Sequence, residues 1–243
     1  ALALEKEFFN QKKEEAAIEA KNERLRANLL RSISHDLRTP LTSISGNASV
    51  LINNSGSLDE NKKMQLYEVI YDDSLWLINL VENLLSVTRI EDGKMNLHLE
   101  TELIEEVINE ALNHISHKKD EHRIEVKAND EFILAKIDAG LIIQVIINIV
   151  DNAIKYTPKG SMISIETFKH KDFVEIQIAD DGAGISDKDK EKLFEMFYTV
   201  KHEVIDGRRG LGLGLALCKA IIVAHGGNIA VKDNIPHGTI FSF

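Results

Sequence analysis

Four things are scarce in this sequence, and each scarcity removes a class of protein. There is one cysteine, Cys218, so no internal disulfide can form and a reducing compartment is expected. Positive charge is in deficit, 29 Lys and Arg against 39 Asp and Glu, and the net charge of −10 argues against nucleic acid as the main partner. Long apolar runs are missing: the most apolar stretch, residues 141–150, is interrupted by Gln144 and Asn148 and is too short to span a bilayer. His202, His225 and His237 lack the spacing of metal ligands. No signal-peptide pattern opens the chain. It begins without Met and stops on a strand-like segment, residues 239–243, which reads as a piece of a longer protein. What is present, 44% hydrophobic and 28% charged residues over 243 positions, describes a globular chain of one large domain or two ordinary ones.

Breakers are absent from the first 39 residues: no Pro precedes Pro40 and no Gly precedes Gly46. Leu4, Phe8, Ile18, Leu25 and Leu29 follow a four-three spacing, with Gln11, Glu15 and Asn22 in its gaps. Ile33, Leu37, Ile44 and Leu51 continue nearly in phase, which is a heptad seam. A helix of about 50 residues would be roughly 75 Å long and needs a partner. Residues 53–57 break it, and Asp59 can cap a second helix carrying Leu66, Ile70, Leu77, Leu80, Leu84 and Val87, with Asp73 as its one polar interruption. That helix ends near Glu91-Asp92-Gly93, where Gly supplies the stop. Two antiparallel helices with one apolar stripe each cannot enclose a core, but two copies of the hairpin can, as a four-helix bundle. The pattern therefore predicts a homodimer.

Beyond Gly93 the periodicity changes. Strands are expected over 95–99, 123–128, 132–137, 161–168, 174–179, 228–232 and 239–243, with helices near 102–118, 139–156, 187–195 and 212–224. Their order describes an antiparallel or mixed sheet covered by helices, an α+β layer sandwich.

Four motifs carry chemistry. The octapeptide Ser34-His35-Asp36-Leu37-Arg38-Thr39-Pro40-Leu41 places a His, a carboxylate and a Thr on the first helix. A neutral imidazole is a good nitrogen nucleophile near pH 7. Asp36 can accept the proton of the other ring nitrogen, although neighbours on a helix do not face each other and a bend is required. Pro40 offers that bend, because it removes the bond to the Asp36 carbonyl and crowds it. Asn148, Asn152 and Lys155 recur on one helical face, where side-chain carbonyls suit Mg²⁺, and Tyr156 follows them. Amides on so apolar a helix, among Val145, Ile149 and Val150, need partners if buried. Asp180-Asp181-Gly182-Ala183-Gly184 joins a carboxylate to a close-approach turn. Gly210, Gly212 and Gly214, interleaved with Leu211 and Leu213, open a helix whose amides can meet phosphate. A dinucleotide fold is rejected, since residues 202–209 before the first Gly are a polar loop rather than a strand.

In this order the motifs resemble the H, N, G1 and G2 boxes of the two-component sensor histidine kinases, with Phe194 and Phe197 resembling the F box. The resemblance runs over roughly residues 25–243, and the wording of residues 31–49 and 208–216 is most similar to the potassium-responsive Kdp sensor kinases. It implies an all-α dimerisation and phosphotransfer hairpin, residues 32–93, forming a four-helix bundle in the dimer. A signalling helix over 1–31 would precede it, and an ATP-binding α+β layer sandwich of the GHKL (Bergerat) type would follow over 94–243. It implies that His35 is phosphorylated from ATP, that Asp36 is its proton acceptor, and that Thr39 orients water when a partner is dephosphorylated. Asn152 would hold Mg²⁺ with help from Asn148. Lys155 would contact phosphate and Tyr156 the nucleotide near its ribose.

Asp180 would read adenine through its exocyclic amine, with Gly182 and Gly184 beneath the base and Gly210, Gly212, Leu213 and Gly214 at the phosphates. Asp181, where many relatives have Asn, would add negative charge near the phosphates. Residues 198–209 would form an ATP lid, in which Arg208 and Arg209 are as well explained as solvated loop residues. A hinge is expected at Asp92-Gly93-Lys94. The partners implied are a second copy and the receiver domain of a response regulator, docking near Leu37, Thr39 and Thr42. The place implied is the cytoplasmic portion of a membrane-anchored bacterial sensor, itself soluble and without membrane contact. Three other readings stay open: an ATPase of the gyrase, chaperone or mismatch-repair type, for which Asn148 stands where an acidic base is usual; a phosphatase-dominant protein; and an ATP-gated interaction module without autokinase activity.

Overall fold

The computed structural model describes residues 34, 37–54, 56–91, 97–115, 121–127, 132–200 and 212–243. His35, Asp36, Gly210, Arg208, Arg209, the expected hinge and the helix over 1–31 lie outside them. The chain divides into two compact units, Ala1–Leu77 and Ile78–Phe243.

The first unit holds helix α1, residues 37–54, and the first half of α2, Glu60–Glu91. Between them residues 56–58 turn, and the Asp59 carboxylate accepts the Lys62 N–H at 2.6 Å, the cap expected from sequence. Leu37, Ile44, Leu51, Leu66, Ile70 and Leu77, the heptad residues, are half-buried. A second stripe was not legible as such: Met64, Tyr67, Tyr71, Ile78 and Val81 recur at heptad spacing along α2, and the first three are 59%, 55% and 52% exposed.

The second unit contains two sheets. Strand β1 (Glu100–Leu103) pairs antiparallel with β3 (Leu134–Ile137), Leu103 opposite Leu134. The larger sheet has the order β2-β4-β5-β7-β6, formed by Arg123–Val126, Met162–Lys169, Val174–Asp180, Thr239–Ser242 and Ala230–Asp233. Its β2–β4 pair is parallel and the rest antiparallel, so the sheet is mixed. Helices α3 (Ile104–Asn113), α4 (Ala139–Tyr156) and α6 (Gly214–Ala224) share one core with it; Ile108, Ile146, Ile149, Ile163, Ile165, Ile178, Leu217 and Ile221 are fully buried. Helices on one face of a mostly antiparallel sheet make the expected α+β layer sandwich.

Three expectations shift. The helix near 102–118 is α3, Ile104–Asn113, because Glu102 and Leu103 belong to β1 and residues 114–115 turn. The first strand is not at 95–99: residues 97–99 are irregular, and pairing with β3 sets it at Glu100–Leu103. The helix near 187–195 is only α5, Asp187–Lys190, because turns follow it to residue 197.

Helix α4 positions the site, and its ends follow from local chemistry. Asp138 caps it, accepting the Leu141 N–H, and Thr157 leaves it in extended conformation ahead of Pro158. Over 18 residues its mean hydropathy of 1.3 makes it long and apolar enough to cross a membrane by those criteria alone, contrary to the reading from residues 141–150. Seven of its residues, Ile142 to Ile154, are buried in the core, which accounts for that hydropathy.

Candidate functional site

Asn148, Asn152 and Lys155 lie along one side of α4, each half-buried, with the more exposed Tyr156 beside them. The Lys155 ammonium stands 5.3 Å from the Tyr156 ring centroid, a cation–π contact that keeps both at the end of the helix. Burial pushes the Tyr156 hydroxyl pKa up. It also pushes the Asp151 carboxyl, within the same motif, up to about 6, with the Lys155 charge opposing it. Sequence reasoning gave Asp151 no role.

The N-terminus of α6 closes this side of α4. A β-carbon on Gly214 would stand 3.2 Å from Asn148 Oδ1, so glycine lets the helix approach the amide. Leu213, next to it, is buried, and no side chain caps the first turn of α6. Its leading amides are therefore available to an anion. Cys218, one turn further on, donates weakly to the Val145 carbonyl at 3.8 Å and bonds the Asn148 side chain. Burial drives its thiol up to about 12, so it is a packing residue with no thiolate chemistry at neutral pH.

The partner that a buried amide demands comes from outside the expected motifs. Asn83, on α2 in the same unit, accepts from Gln144 Nε2 at 3.1 Å and from Asn148 Nδ2 at 3.5 Å.

Near the C-terminal end of α4, Asp180 closes β5. Its Oδ1 accepts the Gly182 N–H at 2.8 Å and the Thr239 N–H at 3.2 Å, and the Thr239 hydroxyl bonds the same carboxylate. The second oxygen is used by neither amide. Burial raises the carboxyl pKa, these hydrogen bonds lower it, and Asp181 raises it further. Gly182 packs on the Thr157 methyl, just past α4. Thr239, Asn234 and Gly238 were missed from sequence. Asn234 donates to the Asp180 carbonyl at 2.8 Å, and a β-carbon on Gly238 would fall 2.0 Å from that oxygen. Gly184 approaches the Gly238 carbonyl from the opposite side. The Gly-Thr pair opening a final alternating strand was the available signal.

Asp181 also has a structural part that the sequence did not show: its carboxylate accepts the Met162 N–H at 3.0 Å and so ties the turn to the start of β4. His237 Nδ1 lies 2.8 Å from the Asp181 carbonyl. His225 Nδ1 donates to the Ile221 carbonyl, leaving Nε2 to accept the Asp138 N–H at 3.1 Å. Among the described residues no three His, Cys, Asp or Glu gather to hold a metal. Asn148 and Asn152 are neutral oxygen donors that fit Mg²⁺ whose remaining ligands are phosphate and water.

The segment outside the described residues between 200 and 212 starts and ends at a clasp. Phe197 donates its N–H to the Gly212 carbonyl at 2.9 Å, and both residues have φ of +67°. For Phe this is a strained conformation costing on the order of 1 kcal/mol. Gly212 also leaves no room for a side chain, since a β-carbon would stand 2.6 Å from the Tyr198 carbonyl oxygen. Phe194 packs edge-on to Phe241 in the core beneath.

In the other unit, Ser34, Thr39 and Thr42 are exposed, Leu37 is half-buried and Pro40 is buried. Thr42 bonds back to the Arg38 carbonyl at 2.8 Å.

Residues 25–93 match the His Kinase A (phospho-acceptor) domain family, and residues 137–243 match the histidine kinase-, DNA gyrase B-, and HSP90-like ATPase family. The sensor protein KdpD of Clostridium acetobutylicum is 44% identical over all of this chain, which spans 27% of that protein's length. The crystal structure of histidine kinase ThkA in complex with response regulator protein TrrA is similar over 91% of this chain and 62% of that one, at 25% identity and a TM-score of 0.60. Full-length ShkA in complex with AMPPNP is similar over 89% and 45%, at 25% identity and a TM-score of 0.58.

Proposed function

The chain belongs to the sensor histidine kinases, and from that premise we propose that it phosphorylates itself on His35 from ATP and passes the phosphoryl group to an aspartate of a response regulator. One ring nitrogen of His35 attacks the γ-phosphorus, the bond to the β,γ-bridging oxygen breaks, and ADP leaves with its electron pair. Asp36 takes the proton of the other ring nitrogen. The observation that carries this reading is the convergence on α4: Gly214 packs on Asn148 midway along it, and Gly182, two residues after Asp180, packs on Thr157 just past its C-terminus.

Asp180 accepts from the exocyclic amine of adenine through the oxygen its amide donors leave over. A guanine carbonyl there would be repelled, so ATP is preferred over GTP. Asn152, assisted by Asn148, would hold Mg²⁺, which would neutralise phosphate charge. Lys155 and the amides beginning α6 at Gly212, Leu213 and Gly214, with Gly210 ahead of them, orient the phosphates. Thr39 orients water for dephosphorylation of the receiver, whose docking face includes Leu37, Thr39 and Thr42. The bound receiver in the ThkA complex and the nucleotide analogue in the ShkA complex support these roles by analogy.

The exposed stripe of Met64, Tyr67 and Tyr71 supports a homodimer closed as a four-helix bundle. Domains over 32–93 and 94–243, a hinge at 92–94 and a place in a potassium-responsive, membrane-anchored sensor complete the proposal; the chain spans 27% and 26% of the two KdpD relatives. Titrating ATP with and without Mg²⁺ tests the site: Asn152→Ala should abolish the Mg²⁺ enhancement of affinity. An enhancement unchanged in that variant would overturn the assignment.

A further inference from the structure

Asn83 sits in a stretch of α2 flanked by Leu80, Val81, Leu84 and Leu85, and its half-buried side chain is hydrogen-bonded to α4. One carbonyl oxygen takes two donors one helical turn apart, Gln144 Nε2 at 3.1 Å and Asn148 Nδ2 at 3.5 Å. Gln144, Asn148 and Asn152 form a single row along α4 at four-residue spacing. Asn83 is therefore docked at the head of the row that the nucleotide reading uses. Asn148 is enclosed: α2 holds its nitrogen, while the backbone of α6 at Gly214 lies against its oxygen. A ligand that turns or shifts this amide toward a phosphate or its cation must break its bond to Asn83.

We propose that Asn83 is an autoinhibitory latch, whose carbonyl ties Gln144 and Asn148 to α2 and must be released before MgATP is bound in its reactive position. The proposal rests on the nucleotide-site reading in one respect, that Asn148 faces the ligand. Because turning Asn148 toward the ligand breaks its nitrogen's bond to Asn83, each weakens the other, and the coupling is reciprocal. A half-buried hydrogen bond of this kind changes an equilibrium by about three- to ten-fold. The second donor, Gln144, makes the latch separable from the site, because its removal leaves Asn148 intact.

The test is the affinity of the whole chain for trinitrophenyl-ATP with Mg²⁺, competed with ATP, in wild type, Asn83→Ala, Gln144→Leu and the double variant. Thermal melting verifies that each is folded. The latch predicts that Asn83→Ala binds ATP about three- to ten-fold more tightly and autophosphorylates faster by a similar factor. Gln144→Leu should shift affinity in the same direction, and the double variant should be no tighter than Asn83→Ala, since both remove one device. Affinities in folded Asn83→Ala and Gln144→Leu equal to or weaker than wild type would overturn the latch while leaving the nucleotide site standing. Failure of every variant, wild type included, to bind nucleotide would overturn both.

Discussion

Replacing Asp151 by Asn should stabilise the second unit at neutral pH, and the gain should vanish in acid. Burial among the α4 residues holds the carboxyl at about 6 against an ordinary 3.8. Because the folded value lies above the unfolded one, the group's favourable contribution is complete below about pH 4 and is lost as pH rises through about 6. Above that range the folded protein carries an ionised carboxylate that it disfavours, with only Lys155 to offset it. At about 1.4 kcal/mol per pH unit, the gap between 3.8 and about 6 corresponds to about 3 kcal/mol. Water reaching the half-buried side chain reduces this, so about 1–3 kcal/mol is expected at pH 7.5. For a unit of this size that raises the melting temperature by about 3–10 °C. Unfolding should be followed for both proteins from pH 4 to 8, and the difference between them plotted against pH. A difference that grows between pH 4 and 6 and then levels supports the account. A flat difference, or a variant less stable at pH 7.5, would refute the reasoning about desolvation. The same variant also asks why a destabilising carboxylate occupies this motif, since its neighbour Asn152 is the proposed Mg²⁺ ligand.

Asp180→Asn should weaken ATP binding about 10- to 100-fold and narrow the preference for ATP over GTP, because a charged acceptor held by two amides is replaced by a neutral one; competition binding with both nucleotides measures this. Gly238→Ala should cost about 3 kcal/mol or more, since its β-carbon would fall 2.0 Å from the Asp180 carbonyl oxygen. Urea unfolding checks it, and a variant within 1 kcal/mol of wild type would contradict the close approach.

How much of this could be read from the sequence differs by element. Helix α4 was legible at both ends, because Asp138 caps it and an apolar 3.6-residue pattern fills it. Strand β1 was set too early because its position is fixed by a distant partner, Leu134 opposite Leu103, and local alternation carries no such information. Helix α5 was read as too long for a similar reason. The residues after Lys190 have helical propensity, but Phe194 packs on Phe241 and Phe197 turns to φ +67° to meet Gly212. The N, G1 and G2 motifs were legible as one-dimensional strings, and the fold brings their described residues around α4. The residues that hold them were not. Thr239 and Asn234 reach Asp180 from across a hairpin, and Asn83 reaches Asn148 from a different helix, contacts that tertiary structure alone creates. Asp181 adds another such contact, since its carboxylate accepts the backbone N–H of Met162, nineteen residues away.

The central claim is that ATP charges His35. The most direct measurement is incubation with γ-labelled MgATP, comparing wild type with His35→Gln and testing the labelled protein in acid and alkali. The account predicts label on wild type that is lost in acid, survives alkali and is absent from the variant. Label that persists in His35→Gln, or no label on wild type despite measured ATP binding, would contradict it.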